Sequence, residues 1–365
     1  MIPISQPSIT QKEIDYVTDA VKSTWISSLG KYIDKFESDF AQFCGSKYAI
    51  SVSNGTVAIH LALVAHNIGP GDEVIVPNLT FVATANAVIH SGATPVLVDI
   101  DPFNFCVDPD KIQTVITSRT KAIMPVHLYG HPCDMKAIME IAKRHNLIVI
   151  EDAAEAHGAT SYGKTVGNWG DCATFSFYGN KNLTTGEGGM ITTDDEKYNL
   201  RCRYLRDHAM SKEKRYWHTE VGYNYRITNI QAALGCAQLE RVGELMEKRR
   251  QLYAWYSQAL KNVEGLELNK TSAWATNSYW LICMRYNGWR TELERDQFMI
   301  KLKSEGIDSR PFFYPLSEMP YLNMKADTPV TYSVYGSGIN LPTYFDLTED
   351  QVKTICNSII HILHD

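Results

Sequence analysis

The sequence has 365 residues, 44% of them hydrophobic and 21% charged, so it can bury a large core and does not have the composition of a disordered chain. Its net charge of −6 argues against the broad basic surface with which proteins grip nucleic acid. The polar first ten residues and the lack of a run of about 18 apolar residues predict neither a signal peptide nor a membrane span, so we expect a cytoplasmic protein.

Short apolar runs alternate with helical patterns over residues 47–152. The apolar runs predict strands at residues 48–52, 73–77, 94–99, 121–128 and 147–152, and the patterns between them predict helices at residues 56–66, 80–90, 109–116 and 134–145. This alternation predicts a mostly parallel sheet with helices on both faces. Ligands of such sheets bind where strands end and loops lead into helices, so we expect the functional residues in those loops.

The pattern is less regular after residue 170. Strands are predicted at residues 172–177 and 190–193, and an irregular segment rich in His, Lys, Arg, Trp and Tyr covers residues 207–225. Long ordered loops of this kind are usually functional. A helical run at residues 229–260 leads to strand-like residues 278–284 and to helices at residues 292–305 and 349–364. We therefore predict a large domain of residues 1–240 and a smaller C-terminal α+β domain of residues 241–365.

The cysteines and histidines give no sign of a disulfide framework or a metal centre. The eight cysteines form no CxxC pair and are sparse, so reduced thiols are expected. His127, His131, Cys133 and Asp134 lie close together, but they match no standard zinc spacing. We interpret that segment as an ordinary loop and predict no metal.

Two short motifs follow predicted strands, and each has two interpretations. Ser53-Asn54-Gly55-Thr56 lies directly before a helix, where backbone N–H groups and the positive end of the helix dipole can bind a phosphate. The same residue types are favoured as helix N-caps when nothing binds. Glu151 and Asp152 end a strand, where an Asp can face a cationic heterocycle. Alternatively, Glu155 three residues later indicates a capping box with Asp152 as the N-cap.

A lysine next to a glycine-rich turn changes the balance between these interpretations. Lys181 follows the strand-like residues 175–177 and precedes Thr184-Thr185-Gly186-Glu187-Gly188-Gly189. Lysine amines form Schiff bases when a preorganised site lowers their pKa, although most lysines are merely exposed to solvent. The three motifs together would place a phosphate anchor, an acid and an amine at one edge of the sheet. These are the groups that pyridoxal phosphate (PLP) requires, so the sequence predicts a PLP site.

Ordered blocks along the whole chain resemble the DegT/DnrJ/EryC1/StrS family of sugar aminotransferases. The blocks are residues 25–28, 53–56, 71–77, 99–101, 151–156, 176–189, 222–226 and 341–342. The resemblance implies the α/β fold of the aspartate-aminotransferase type, fold type I of the PLP enzymes, with a large domain built on a mostly parallel mixed sheet. Related dehydratases carry His at the lysine position, so Lys181 favours amino transfer.

The resemblance assigns roles to five residues around the cofactor. Lys181 is implied to be the Schiff-base lysine and the group that later moves the proton. Asp152 is implied to pair with the pyridinium nitrogen, and Gly55, Thr56 and Ser176 to hold the phosphate.

Further roles concern the cofactor ring and a second subunit. Phe81 resembles the aromatic residue that lies against the ring, and Glu155 stands near the ring hydroxyl where many relatives carry Gln. Asn224 is implied to reach the phosphate bound by a neighbouring subunit, with Arg226 at the same interface. The resemblance therefore implies a homodimer with shared active sites.

Four residues are candidates for contacts with the substrate: Trp25, Arg226, Arg310 and Tyr314. Arg310 can pair with a phosphate through two hydrogen bonds or serve as a structural ion-pair partner, and the aromatic residues beside it can equally be domain packing. Many relatives show a His shortly after the Arg-Pro segment, whereas Ser317 follows it here, so contacts to the nucleotide diphosphate are expected to differ.

Within the family, residues 23–28, 127–135 and 179–181 resemble most the members that make GDP-perosamine, a precursor of the O antigen of lipopolysaccharide. That likeness implies conversion of GDP-4-keto-6-deoxy-D-mannose and L-glutamate to GDP-perosamine and 2-oxoglutarate in a ping-pong cycle. Two alternatives are the same chemistry on a UDP- or dTDP-linked 4-keto-6-deoxyglucose, and a non-catalytic regulator or scaffold with the same fold.

Overall fold

The computed structural model describes residues 1–364. The helices are α1 (Gln11–Lys22), α2 (Lys31–Cys44), α3 (Gly55–Ala65), α4 (Ala83–His90), α5 (Pro109–Ile112), α6 (Met135–His145), α7 (Glu196–Arg206), α8 (Asn229–Glu240), α9 (Val242–Leu260), α10 (Glu292–Ser304), α11 (Pro329–Gly336) and α12 (Glu349–His364). The strands are β1 (Tyr48–Val52), β2 (Glu73–Pro77), β3 (Thr94–Val98), β4 (Thr120–Ile123), β5 (Ile148–Asp152), β6 (Thr160–Ser161), β7 (Lys164–Thr165), β8 (Cys172–Ser176), β9 (Gly189–Thr193), β10 (Leu266–Leu268), β11 (Ala275–Thr276), β12 (Ile282–Tyr286), β13 (Arg310–Pro311) and β14 (Gly338–Leu341).

The central sheet is mixed and mostly parallel, as predicted. Over residues 1–364 it has seven strands in the order β1-β9-β8-β5-β4-β2-β3. β8, β5, β4, β2 and β3 run parallel, whereas β9 is antiparallel to both β1 and β8. The carboxyl ends of β5 and β8 therefore lie side by side at one edge, which is where an α/β sheet binds its ligands.

Alternating side chains bury both faces of this sheet. In β1, Ile50 packs with α3, α4 and α7, whereas Ala49 packs with α2 and α8. In β2, Val74 joins the α3 side and Ile75 packs towards α5 and α6 on the opposite side. The predicted α/β architecture, a mostly parallel sheet with helices on both faces, follows from this pattern and is confirmed.

The C-terminal residues form a second, smaller α+β arrangement. Its antiparallel sheet has the order β10-β12-β14-β13 and packs against α9, α10 and α12. The short strand β11 pairs instead with β6, which connects this part to the loop after β5. The exact division at residues 240 and 241 stays a prediction.

Several element boundaries differ from the sequence prediction for local reasons. β4 ends at Ile123 and does not extend to residue 128, because Pro125 has no N–H to donate and Tyr129 adopts a positive φ of 54° in a 3₁₀ turn. The helical run at residues 229–260 is two helices, separated at Arg241, whose φ of −105° and ψ of 6° depart from helical values. Helix α4 begins at Ala83 and β12 at Ile282, each later than predicted.

The two N-terminal helices α1 and α2 carry no counterpart in the sequence prediction. α1 begins with a capping box in which the side chains of Thr10 and Glu13 each accept a backbone N–H of the other. α2 buries Phe36 and Phe40 against Phe177, next to β8. These helices therefore close the face of the sheet behind β8.

None of the helices in residues 1–364 is long and apolar enough to cross a membrane. All eight cysteines are buried and unpaired by disulfides.

Candidate active site

Lys181 lies in the loop between β8 and β9, at the carboxyl end of β8. Its backbone N–H donates to the carbonyl of Tyr178 at 3.0 Å, which fixes the loop close to the strand end. The side chain is only 11% exposed, and its Nζ lies 3.6 Å from Glu155 Oε1 and 3.8 Å from the ring centroid of Trp280. Burial lowers the pKa of Lys181, while the charges of Glu155 and Asp152 oppose that change. A buried amine held in this way is suited to covalent and proton-transfer chemistry.

Asp152 is the last residue of β5 and its carboxylate is held by two donors. Thr84 Oγ1 donates to Oδ2 at 2.8 Å, and the N–H of Ala154 donates to Oδ1 at 3.2 Å. Burial raises the pKa of Asp152, and these two hydrogen bonds and the charge of Lys181 oppose the rise. The residues after Asp152 form turns and not a helix, so the capping-box interpretation is wrong. The carboxylate is therefore free to face a ligand at the sheet edge.

Glu155 lies in the turn after β5, between the lysine and a backbone donor. The N–H of Tyr129 donates to Glu155 Oε2 at 2.9 Å, and Oε1 faces Lys181. Burial raises the pKa of Glu155 to about 7, although the charge of Lys181 opposes the rise. The shifts of the two pKa values, upwards for Glu155 and downwards for Lys181, bring the carboxyl group and the amine closer in proton affinity.

The N-terminus of α3 meets the end of β8 at very short range. Asn54 caps the helix by accepting the N–H of Val57 at 3.0 Å, as the N-cap interpretation predicts. Gly55 packs so closely against Ser176 that an added Cβ would lie 2.7 Å from the Ser176 Cβ. Since the first N–H groups of a helix have no partner inside it, Gly55 and Thr56 can offer N–H groups to an anion beside the Ser176 hydroxyl. The cap does not exclude phosphate binding.

The three predicted motifs thus meet at one edge of the central sheet. The buried amine, the buried carboxylate of Asp152 and the helix terminus supply the three groups that PLP requires, so the residues present fit this cofactor. The structure brings these groups together as the sequence predicted, and their roles toward the cofactor stay predictions.

A buried His–Glu pair supports the end of β5. Glu151 points away from Asp152, because successive strand side chains alternate, and its Oε2 lies 3.0 Å from His127 Nε2. His127 Nδ1 accepts the backbone N–H of Cys133, and the backbone N–H of His127 donates to the Asp152 carbonyl. Burial would raise the pKa of Glu151, but the hydrogen bond and charge of His127 lower it overall. Glu151 also accepts three backbone N–H groups, from Gly167, Trp169 and Gly170.

His127 and its neighbours were considered above as metal ligands. Over residues 1–364, no group of three or more His, Cys, Asp and Glu side chains could hold a metal ion.

The aromatic residues predicted for the ring and the substrate lie near the segment after β13. Phe81 is 52% exposed, and its ring centroid lies 5.7 Å from that of Phe313. The N–H of Phe313 donates to the Tyr129 hydroxyl at 3.0 Å, which ties this segment to the residue that holds Glu155. Tyr314 is half exposed, and its ring centroid lies 5.0 Å from that of Tyr335. Phe81 and residues 313–314 therefore lie on the side of the candidate site where Tyr129 holds Glu155.

The remaining predicted residues lie on the surface. Arg310 pairs with Asp308 at 2.7 Å, which is the structural ion pair considered as its alternative. The irregular segment 207–225 forms a hairpin in which exposed Asn224 is bridged to Asp207, and Arg226 pairs with the Asp207 carboxylate. Trp25 is 57% exposed and lines a cleft of about 560 Å³ with Ser23, Leu29, Gly30, Lys31 and Asn229.

Sequence reasoning missed Thr84 and Trp280, which contact Asp152 and Lys181. Thr84 is separated from its partner by 68 residues, and Trp280 lies near the start of a strand-like run with no local motif. The alternation in β5 could have separated the roles of Glu151 and Asp152 from the sequence alone.

The chain is similar to known aminotransferases along its whole length. The sequence profile of the DegT/DnrJ/EryC1/StrS aminotransferase family matches residues 7–360. A GDP-perosamine synthase of Caulobacter vibrioides is 50% identical, with 99% of this chain and 98% of the relative covered. A GDP-perosamine synthase of Escherichia coli O157:H7 is 46% identical over 100% of this chain and 99% of the relative. A solved sugar aminotransferase of Streptococcus pneumoniae, in its pyridoxamine phosphate (PMP) form, superposes with a TM-score of 0.95 at 30% identity, covering 100% and 98% of the two chains.

Proposed function

Since the chain belongs to the DegT/DnrJ/EryC1/StrS aminotransferase family and is a PLP-dependent sugar aminotransferase, we propose that it makes GDP-perosamine. The reaction transfers the amino group of L-glutamate to carbon 4 of GDP-4-keto-6-deoxy-D-mannose and releases 2-oxoglutarate. The names of the two full-length relatives support this substrate. The observation that carries the proposal is the buried Lys181 amine, held beside Glu155 and near the Asp152 carboxylate at the sheet edge.

Each group of the site has a defined task in this reaction. When bound, PLP supplies an aldehyde that takes up the donor's amino group and a ring that withdraws electrons from the carbon losing its proton. Asp152 would face the ring nitrogen, and the Thr84 hydroxyl keeps its carboxylate oriented and favours its ionised form. The N–H groups of Gly55 and Thr56 would hold the phosphate together with Ser176.

Lys181 would move the proton in both halves of the reaction. Its amine would hold the cofactor between turnovers, would be freed when glutamate takes its place, and would stay free until the amino group has passed to the sugar. The free amine would then take a proton from the substrate carbon and give it back in the opposite half of the reaction, as a general base and acid. Burial helps this task, because it lowers the pKa of Lys181 toward neutral pH and excludes competing water.

Substrate recognition is proposed for residues around the opening of the site. Tyr314 presents exposed aromatic surface on which a sugar or a base can stack, whereas Phe81 would lie against the cofactor ring. Arg310 would exchange its ion pair with Asp308 for a diphosphate, and Arg226 would do the same from its pair with Asp207. Trp25 would contact the substrate from its cleft.

We propose that two copies of the chain share their active sites. Asn224 is exposed and is paired with Asp207 at the base of a hairpin, so its amide is available to the phosphate site of a neighbouring subunit. We also place the enzyme in the cytoplasm, since eight free, buried cysteines suit a reducing compartment. Its product would serve O-antigen synthesis for lipopolysaccharide.

The proposal is tested by visible absorbance and by substrate comparison. The purified enzyme is expected to show an absorbance band of lysine-bound PLP that bleaches when L-glutamate is added. Lys181→Ala removes the band and lowers turnover by at least about 100-fold, because no other amine replaces it. Lys121 is an exposed residue on β4, and the matched control Lys121→Ala is expected to keep both the absorbance band and the turnover.

Turnover of GDP-, UDP- and dTDP-linked 4-keto sugars then decides the substrate. Preference for the GDP sugar supports the proposal, whereas preference for a UDP or dTDP sugar would refute the substrate assignment. Unchanged turnover in Lys181→Ala would refute the catalytic assignment. A wild-type protein that binds no PLP would favour a regulator or scaffold.

A further inference from the structure

The amine of Lys181 lies between a carboxylate and an aromatic ring. Glu155 Oε1 is 3.6 Å from Nζ, and the centroid of the Trp280 ring is 3.8 Å from the same nitrogen. A cation at this distance from a ring face is attracted by the negative electrostatic potential of the ring. Both partners therefore favour the ammonium form of the lysine.

Each partner is fixed by contacts that do not involve the amine. Trp280 is 4% exposed, and its Nε1–H donates to the carbonyl of Asn180, the residue before the lysine, at 2.8 Å. Glu155 is held by the Tyr129 N–H, and the Tyr129 ring lies nearly parallel to that of Trp280, at 19°. The pocket for the amine is thus preorganised and costs little rearrangement when the amine enters it.

We propose that Glu155 and Trp280 form a holding position for the free, protonated amine of Lys181. The two are positioning residues, since they act through the lysine. The inference rests on the proposed role of Lys181 as proton carrier. It adds that the proton is accepted into a pocket built for the ammonium, and that Trp280, from the C-terminal part of the chain, belongs to the catalytic machinery.

The charged surroundings show why such a pocket is needed. Burial lowers the pKa of Lys181 and on its own would leave a weak proton acceptor. Asp152 also faces the amine and opposes that effect. His157, the other titratable group that senses Lys181, does not compete for the proton, because burial lowers its pKa to about 3. On the other side, Glu155 is faced by the hydroxyl of Tyr129 and the thiol of Cys283, whose pKa values burial raises, so both stay neutral.

The titration of Lys181 in the full-length enzyme freed of PLP tests this proposal. Lysines are labelled with ¹³C at Cε, and the Lys181 signal is identified by its absence in Lys181→Ala. We expect Glu155→Gln, which keeps the shape of the side chain, to lower the titration midpoint by about one pH unit or more. Trp280→Phe, which weakens the ring potential, is expected to lower it by about half a pH unit.

A matched control separates this role from simple packing. Trp255 on α9 has a lysine over its ring at 4.7 Å, and Trp255→Phe is expected to leave the Lys181 midpoint unchanged. Midpoints in Glu155→Gln and Trp280→Phe that equal the wild-type value would overturn the inference. Glu155→Gln decides alone if Trp280→Phe does not fold. A failure of the proposed function would be seen in a different measurement: the wild-type enzyme would show no absorbance band of PLP that depends on Lys181.

Discussion

Replacing Gly55 by Ala adds one methyl group at the point where α3 meets β8. The new Cβ would lie 2.7 Å from the Ser176 Cβ and 3.1 Å from its hydroxyl oxygen. Carbon atoms that are not bonded to each other do not approach so closely, so the start of the helix or the end of the strand must move. Overpacking of this kind costs about 1–3 kcal/mol, whereas the gain in helix propensity from Gly to Ala is at most about 1 kcal/mol. The net effect is therefore a loss.

The loss is expected in PLP binding as well as in stability, because the displaced groups are the proposed phosphate anchor. A penalty of about 1.4 kcal/mol is a tenfold change in affinity, so we expect Gly55→Ala to bind PLP about tenfold more weakly. Equilibrium dialysis against PLP measures the affinity, and thermal unfolding of the PLP-free protein measures stability.

Gly243→Ala is the matched control. Gly243 lies in α9, where an added Cβ meets no atom of residues 1–364 within 4 Å, so only the gain in helix propensity remains and stability should rise slightly. If Gly55→Ala bound PLP as tightly as the wild type and unfolded at the same temperature, the close packing of α3 on Ser176 would have no role in the site.

Two further predictions concern acid stability and subunit sharing. Contacts with Thr10 and Arg241 lower the pKa of Glu13 to about 2 despite its burial, so its stabilising effect, complete above pH 4.5, is lost as the pH falls towards 2. Acid unfolding followed by circular dichroism should show this decline in stability in the wild type and a smaller decline in Glu13→Gln. The same pH dependence of stability in both proteins would contradict the prediction. Co-expressing Lys181→Ala with Asn224→Ala should recover about a quarter of wild-type activity, since half of the dimers are mixed and each rebuilds one site. No recovery would argue against shared sites.

The parts of this fold that depend on patterns of neighbouring residues in the sequence could be predicted. Alternating apolar runs predicted the parallel strands, and residues such as Asp152 and Lys181 were recognisable because they follow strands whose ends share one edge. The capping box at Thr10 and Glu13 also has a sequence signature, so the start of α1 belongs to the predictable part of the fold although it was not predicted.

Contacts between distant segments could not be predicted. Thr84 reaches Asp152 and Trp280 reaches Lys181 only after the sheet and the C-terminal part have packed. A threonine or a tryptophan has the same local preferences whether or not it ends beside a catalytic group, so one sequence does not reveal it. Arg310 illustrates the converse, since its sequence context allowed a phosphate contact or an ion pair and packing against Asp308 gave the pair.

The place of Trp280 in the chain has a consequence for synthesis of the protein. β1 must wait for β9 to emerge from the ribosome before the central sheet can close, and Lys181 must wait for Trp280. At about 5–20 residues per second, the interval between these two residues lasts roughly 5–20 s. During that time the amine lacks its ring and the chain lacks the antiparallel C-terminal sheet. A nascent chain therefore completes the lysine pocket late, only after the segment that carries Trp280 has been synthesised and has packed.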